Sequence, residues 1–502
     1  MLRDAPPSPQ ETQEDRRVIL RGASLAMAGF LIRPLSRVPF LLIIGHIYGE
    51  AQFGRYVFAV GLFEALAAFC RLGLKDNLFR FLAERPQSQP QVIAEALTIG
   101  VALSVVSAAL VMFAAPLIGG ATHAAPMWRM LSELVCILPV FVATDLLFAA
   151  TRFQRAVGYE VMGRSIVEPL MVTGGAFAFG LAGHGAQGLL IGYIAAQVVT
   201  LGMAALGVAR RFPKTPEPLQ VEVSQMRAMA ARSLPTGIAD CVGLGFNAAS
   251  IVLIGNLVGE AALGVYGMAL NIETALSKVR QAFDMVVVPV ISASFAAAQS
   301  SKVIDQLQMV GRWILTAQLP LLAACLLFGG DILGLFGKSF QQGAPILGLL
   351  ALAAVIDGVL NLAQAPLFLS RPKSNLGIAV VALALNLGIG AVLAPRLGVT
   401  GVGLGMVAAL AVASLARQLI IRRQFGRSLL TRAFWRPLAA VLAAGSAASL
   451  ILDLGPGTGR SHALAAAVLV IGYILVLALV DRQLRRWAVT WTMARLARWR
   501  SA

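Results

Sequence analysis

Arg33 and Arg37 lie four residues apart inside an apolar run, with Pro34 between them. Four residues make about one helical turn, so the two guanidiniums share one helix face. Proline bends a helix by removing a hydrogen bond, which predicts a kink at Pro34. A basic residue at the centre of a membrane helix costs about 2.5–3.5 kcal/mol to insert, so this pair needs a partner or a task. Arg55 stands at the mouth of the next apolar run, and Lys278 and Arg280 lie well inside a later one. Guanidinium groups bind phosphate oxygens two at a time, and ammonium binds them as a point charge. These five cations are the candidate anion-binding residues.

A second group is acidic or amide. Asp357, Asn361 and Gln364 follow an i, i+4, i+7 stripe, while Asp240 and Asn386 fall within other apolar runs. Oxygen-rich clusters of this kind hold Na⁺, carry a proton, or simply bond one helix to another. Glu64, Asp240, Asp357, Asn361 and Asn386 are therefore the candidate ion-coupling residues, with interhelical bonding the alternative. Hairpin geometry suggests two pairings. A turn near residues 50–51 sets Arg37 and Glu64 at equal depth, and a turn near 260 does the same for Asp240 and Arg280. Arg33 then lies about 6 Å deeper than Glu64 reaches, since a helix rises 1.5 Å per residue. Asp145, Glu133 and Glu168 are nearer the ends of their runs and are expected to be wetted.

Nothing in the sequence supports catalysis. His46, His123, His184 and His462 are scattered without metal-ligand spacing. Cys70, Cys136, Cys241 and Cys325 form no CxxC pair and read as core thiols. The glycine-rich stretch 455–460 lacks the GK[ST] of a phosphate-binding loop and is expected to be a flexible turn. No catalytic residue, cofactor or metal is expected.

The elements that position these residues follow from hydropathy. Of 502 residues, 58% are hydrophobic and 13% charged, too few polar groups for a soluble chain of this length. Apolar stretches long enough to cross about 30 Å of hydrocarbon recur at 22–47, 54–74, 92–118, 128–150, 162–183, 187–209, 233–257, 263–289, 310–330, 345–369, 375–395, 399–421, 437–454 and 463–480. The fold class is all-α polytopic membrane protein with about fourteen spans. Residues 1–21 are polar and no cleaved signal peptide is expected. Connectors alternate between basic ones (Lys75 to Arg85, Arg152/Arg155, Arg210 to Arg232, Arg371/Lys373, Arg422 to Arg436, and the tail from Arg482) and short, nearly uncharged ones. Basic connectors stay inside, which places both termini in the cytoplasm and agrees with an even span count. The net charge of +17 is thus accounted for by topology, without nucleic acid.

The chain also repeats. The run from Gly45 to Tyr56 aligns with Gly255 to Tyr266 at an offset of 210, with six of twelve positions identical. Gly185, Gly188 and Gly192 are echoed by Gly398, Gly401 and Gly405. Six spans separate the copies, so the repeat is parallel. An apolar helix followed by G-x-x-x-G-E-x-x-x-G-x-Y, repeated six spans later, resembles the polysaccharide-exporter branch of the multidrug/oligosaccharidyl-lipid/polysaccharide (MOP) transporter superfamily. That branch includes the lipid-linked O-antigen flippases (Wzx), and the resemblance covers roughly residues 18–425.

The resemblance implies two six-helix bundles, 22–209 and 233–421, around a cavity that opens alternately to each side. A cytoplasmic N-terminal tail (1–21), a linker (210–232), two further helices within 422–480 and a basic cytoplasmic tail (481–502) complete the organisation. It implies a flippase moving a polyprenyl-pyrophosphate-linked oligosaccharide across the bacterial inner membrane, with membrane lipids, a polysaccharide polymerase and glycosyltransferases as partners. Related alternatives are a cation-coupled multidrug antiporter and a lipid II flippase.

Overall fold

The structure is a computed structural model that describes residues 36–122, 124–212, 222–296, 300–455 and 459–480, with backbone alone at 284–296, 300, 301, 365 and 369. The described residues are almost entirely helical, with no strand among them. Lipid leaves no water to satisfy backbone groups, so a spanning segment must bond internally, and an open sheet edge is not tolerated there.

A helix over 36–43 (α1) widens into a π-turn at Ile44–Tyr48 and turns at Gly49, whose φ of 75° suits glycine. There follow α2 (Gly49–Arg71), α3 (Leu74–Glu84), α4 (Gln89–Ala121), α5 (Ala125–Leu134), α6 (Leu138–Phe153), α7 (Gly158–Glu160), α8 (Glu168–Leu181), α9 (Gly185–Arg211) and α10 (Val223–Leu257). The remainder is α11 (Glu260–Ala296), α12 (Ser300–Gly334), α13 (Ala344–Leu360), α14 (Gln364–Ser370), α15 (Pro372–Leu397), α16 (Val399–Phe425), α17 (Trp435–Leu454) and α18 (Gly459–Val480).

Eleven helical runs among the described residues are long and apolar enough to cross a membrane, and one of these, Ser36–Glu84, contains both α1 and α2. The pairs α5–α6, α7–α8 and α13–α14 are each one pass broken by a 3-10 or π-turn, and the described helices then make thirteen passes and the end of a first, in line with the fourteen that hydropathy predicts. The protein is a multi-pass membrane protein. Several helices outrun their apolar windows: α10 begins at Val223 rather than 233, and α12 at Ser300 rather than 310. Hydropathy registers the lipid-buried turns only, while Ser, Gln, Arg and Ala continue the helix into the polar layer at little cost. The short α3 is amphipathic, burying Leu74, Leu78, Phe81 and Leu82 on one face.

By contact the chain divides into Met1–Gly267 and Met268–Ala502. The first unit is built around α2, whose Phe53, Phe58 and Phe63 are fully buried. Phe63 meets Phe141 of α6 and Tyr193 of α9 edge-on, and Phe58 meets Trp128 of α5. In the second unit, Ile304, Leu307 and Ile314 of α12 share one core with Val359 of α13, Ala440 and Ala444 of α17, and Leu469 of α18. The Tyr473 hydroxyl donates to the Thr316 carbonyl at 2.8 Å, so the last two helices dock on α12.

The glycine echo marks equivalent hairpins. Gly192 of α9 lies against Gly175 of α8, and Gly405 of α16 lies against Gly390 of α15. Small residues let backbones approach this closely, and in lipid such packing contributes much of the association between helices.

Candidate functional site

The repeated motif packs on itself. A methyl group on Gly54 would overlap the Glu260 carbonyl, and one on Gly264 would overlap the Glu50 carbonyl. Each glycine is therefore seated on the glutamate backbone of the other copy. Beside this contact the Arg55 guanidinium grips the Glu260 carboxylate with two bonds, Nε to Oε2 at 2.6 Å and Nη2 to Oε1 at 2.8 Å. The second copy has Val265 where the first has Arg55, so only one of the two possible ion pairs forms. Arg55, a candidate anion ligand from sequence, has its fork filled by a carboxylate in this conformation. Trp128 Nε1 donates to the Asn256 amide oxygen at 3.2 Å, tying α5 to the same end of α10.

At the other end of the α2–α10 pair, Arg232 of α10 holds Glu84 of α3 through bonds of 2.6 and 2.9 Å, and Arg80 reaches Glu84 at 2.8 Å. Gly73 and Gly237 meet there backbone to backbone. Asn77 adds a bond to Thr236 at 3.1 Å.

The remaining candidates separate. Arg33 lies outside the described residues, as does Pro34. Arg37 is exposed on α1, within electrostatic range of Tyr56. Glu64 is also exposed and has no ion pair among the described residues, so the depth match with Arg37 is not realised as a salt bridge. Asp240 is half-buried near Asp76, Arg71 and Lys75. Lys278 Nζ donates to Gln281 at 2.7 Å.

Arg280 takes Asp357 of α13 as its carboxylate, at 3.1 Å. From there a chain of polar contacts runs inward. Asn361 donates to Asp357 at 2.6 Å and accepts from Arg417 Nη1 at 2.5 Å, while Arg417 Nε donates to Asn375 at 2.9 Å. Asp357, Asn361 and Gln364 thus form the predicted stripe, with Asn361 also donating to Gln364 at 3.1 Å. Arg417 and Asn375 were missed. A charged residue inside the apolar run 399–421 was the available signal for Arg417. Asn386 is fully buried elsewhere on α15.

A second polar network lies in the first unit, where sequence reasoning placed wetted carboxylates. Asp145 and Arg164 are both buried, and Glu168 is nearly so. Arg164 Nη2 bonds Asp145 at 2.5 Å and Nη1 bonds Glu168 at 3.0 Å, while Arg71 takes the other Asp145 oxygen. Gln197 donates to Glu168 at 3.3 Å, and the Arg164 guanidinium lies 4.6 Å from the Phe141 ring centroid. The correction has a simple cause. Two arginines supply charge for Asp145, and the π-turn Val161–Val167 carries Arg164 into the bundle. Single-turn π-bulges of this kind recur at functional positions. Glu133, by contrast, is only half-buried and pairs with Arg129 at 3.4 Å.

Cys70 and Cys325 are buried as expected, whereas Cys136 is exposed. Among the described residues no cluster of His, Cys, Asp and Glu could hold a metal. His123 and residues 456–458 of the glycine-rich turn fall outside the described residues.

Comparison with known proteins follows the fold. A family model described as a polysaccharide biosynthesis protein matches residues 43–345. No curated protein sequence matches significantly. Among solved structures, the lipid II flippase MurJ in an inward closed conformation superposes with a TM-score of 0.73 at 11% identity, covering 93% of this chain and 99% of that one. An inward-facing multidrug resistance MATE family transporter of the MOP superfamily gives 0.61 at 14% identity, over 80% and 98% of the two chains. An outward-facing MATE structure gives 0.56 at 16%, over 82% and 95%. At these identities the likeness establishes a shared transporter fold.

Proposed function

We propose, on the premise that the chain belongs to the polysaccharide biosynthesis protein family whose model matches residues 43–345, that it is a flippase for a polyprenyl-pyrophosphate-linked oligosaccharide. The family match carries this reading. It supplies the glycan, and the transporter fold supplies the movement. The substrate would pass from the cytoplasmic to the outer leaflet of a bacterial inner membrane, for surface polysaccharide assembly, by alternating access. Glycosyltransferases would load the lipid and a polymerase would use it. Both termini would be cytoplasmic, as the basic connectors require.

Arg33, Arg37, Lys278 and Arg280 would be the cations that bind the pyrophosphate, with Arg55 joining when its bond to Glu260 opens. An exposed Arg37 supports this, as does a partly exposed Arg280 once its bond to Asp357 opens, because a site for pyrophosphate needs cations that a substrate can reach. Moving negative charge outward across an inside-negative membrane is favourable by about 2.3 kcal/mol per charge per 100 mV, so potential alone would assist export. Asp240, Asp357, Asn361, Asn386 and Glu64 would serve any coupling ion. The MurJ likeness favours one second reading, transport of lipid II, which shares the polyprenyl pyrophosphate and differs in the sugar.

The test is Arg37→Ala in cells lacking the native copy, scored for surface polysaccharide and for lipid-linked intermediate in the cytoplasmic leaflet. Loss of display with normal protein level is expected. Normal display would remove Arg37 from the site. Rescue of a lipid II flippase deficiency by the wild-type chain would move the substrate to the second reading.

A further inference from the structure

Between Asp357 and Asp453 the sequence holds no Asp or Glu, yet it carries Arg371, Lys373, Arg396, Arg417, Arg422, Arg423, Arg427, Arg432 and Arg436. Among those that are exposed and have no carboxylate partner among the described residues are Arg371, Lys373, Arg422 and Arg423. They gather at one place in the fold. Arg371 and Lys373 open α15, and Arg422 and Arg423 close the antiparallel α16. A bond of 3.4 Å from Ser370 to Gln424 fixes the two ends side by side.

Directly below this cationic rim lies a groove. It encloses about 320 Å³ and is walled by Ser374, Gly377 and Val381 of α15 and by Val412, Ala413 and Ala416 of α16. Ser374 is the only side chain among these six that carries a polar atom. The α15 wall runs from Ser374 to Ala382, a depth of about 12 Å at 1.5 Å per residue. Val381 and Val412 are about half exposed, and a Cβ built on Gly377 meets no atom within 4 Å. The volume falls in the range of about 300–1,000 Å³ that bound small molecules occupy. An apolar slot capped by unpaired cations complements one kind of molecule in a membrane, a hydrocarbon chain ending in a phosphate.

We propose that this groove seats an anionic phospholipid, with an acyl chain between α15 and α16 and the phosphate on the Arg371, Lys373, Arg422 and Arg423 rim. Basic pockets between membrane helices bind anionic headgroups in this way, and each nearby Lys or Arg adds attraction that salt weakens. The chain gives residence, and the rim gives preference for an anionic over a zwitterionic head. The site belongs wholly to the second unit and uses none of the candidate substrate cations.

The experiment uses the full-length purified protein in detergent, with thermal unfolding followed after addition of phosphatidylglycerol or phosphatidylcholine of the same acyl chains. Phosphatidylglycerol is expected to raise the midpoint by several degrees, phosphatidylcholine by little, and the difference should shrink in high salt. Gly377→Leu, which fills the groove without meeting protein, should abolish the shift. Gly388→Leu, on the same helix where a Cβ also meets no atom within 4 Å, should leave it intact. The quadruple change of the rim residues to Gln should make the two lipids equivalent. An equal shift for Gly377→Leu and wild type, or for the two lipids on wild type, would overturn the site. Displacement of phosphatidylglycerol by equimolar undecaprenyl phosphate would assign the groove to polyprenyl lipid instead and overturn the proposal as stated.

Discussion

At the scale of single residues, the described intramembrane cations fall into two kinds. Arg164 and Arg417 are buried and fully engaged, one by carboxylates and the other by amide oxygens. Arg37 is exposed, and Arg280, bonded to Asp357, is partly so. Burial makes the first kind structural. Removing one partner of a buried pair leaves the other charge uncompensated, at a cost of about 3–5 kcal/mol. Arg164→Ala is accordingly expected to lower the unfolding midpoint and the yield of folded protein strongly. Asp145→Ala should do the same, and the double variant should lose less than the sum, because the two share one network. Thermal unfolding of the three variants in detergent checks this; additive losses would place them in separate interactions. The sequence revealed that charges lie inside the spans, but not which of them are paired. Pairing depends on which helices are neighbours, and Arg71, Asp145 and Arg164 come from three different ones.

The helices themselves were more legible. The fourteen passes follow from hydropathy because lipid forces each apolar run of about 20 residues into a helix. Breaks within a pass, such as the π-turn before Glu168 and the 3-10 turn at Asn361–Ala363, leave no mark in hydropathy, and with them went the placement of Arg164. The glycine motif was visible as a repeat, whereas its packing against its own second copy was not. That packing makes a sharp demand on size. In Gly264→Leu the side chain must displace the Glu50 backbone, and overpacking of this kind costs about 1–3 kcal/mol. Gly243→Leu on α10, where a Cβ meets nothing within 4 Å, is the matched control. A lower unfolding midpoint is expected for the first and little change for the second. Equal midpoints would mean that the motif contact contributes nothing to the folded state.

For the molecule as a whole, orientation is the property that every functional statement presupposes, since a flippase has a loading side. The charge pattern predicts it with little freedom. Arg210 and Arg211 end α9, and Arg422 and Arg423 end α16, whereas the turns after α1, α8 and α10 are short and nearly uncharged. Basic residues near span ends resist translocation and Asp and Glu contribute little, so the rule counts Lys and Arg alone. A green fluorescent protein fused after Arg211 should therefore fluoresce, and alkaline phosphatase fused there should be inactive. Fusions after Leu257, one span later, should behave in the opposite way. The two sites are separated only by the 213–221 segment and α10, so a single misassigned span between them would make both fusions report the same side. That result would put the ends of α9 and α10 in one compartment. It would break the parallel relation between the two motif copies. The opposite result at both sites would instead keep the fold and reverse the loading side of the proposed flippase.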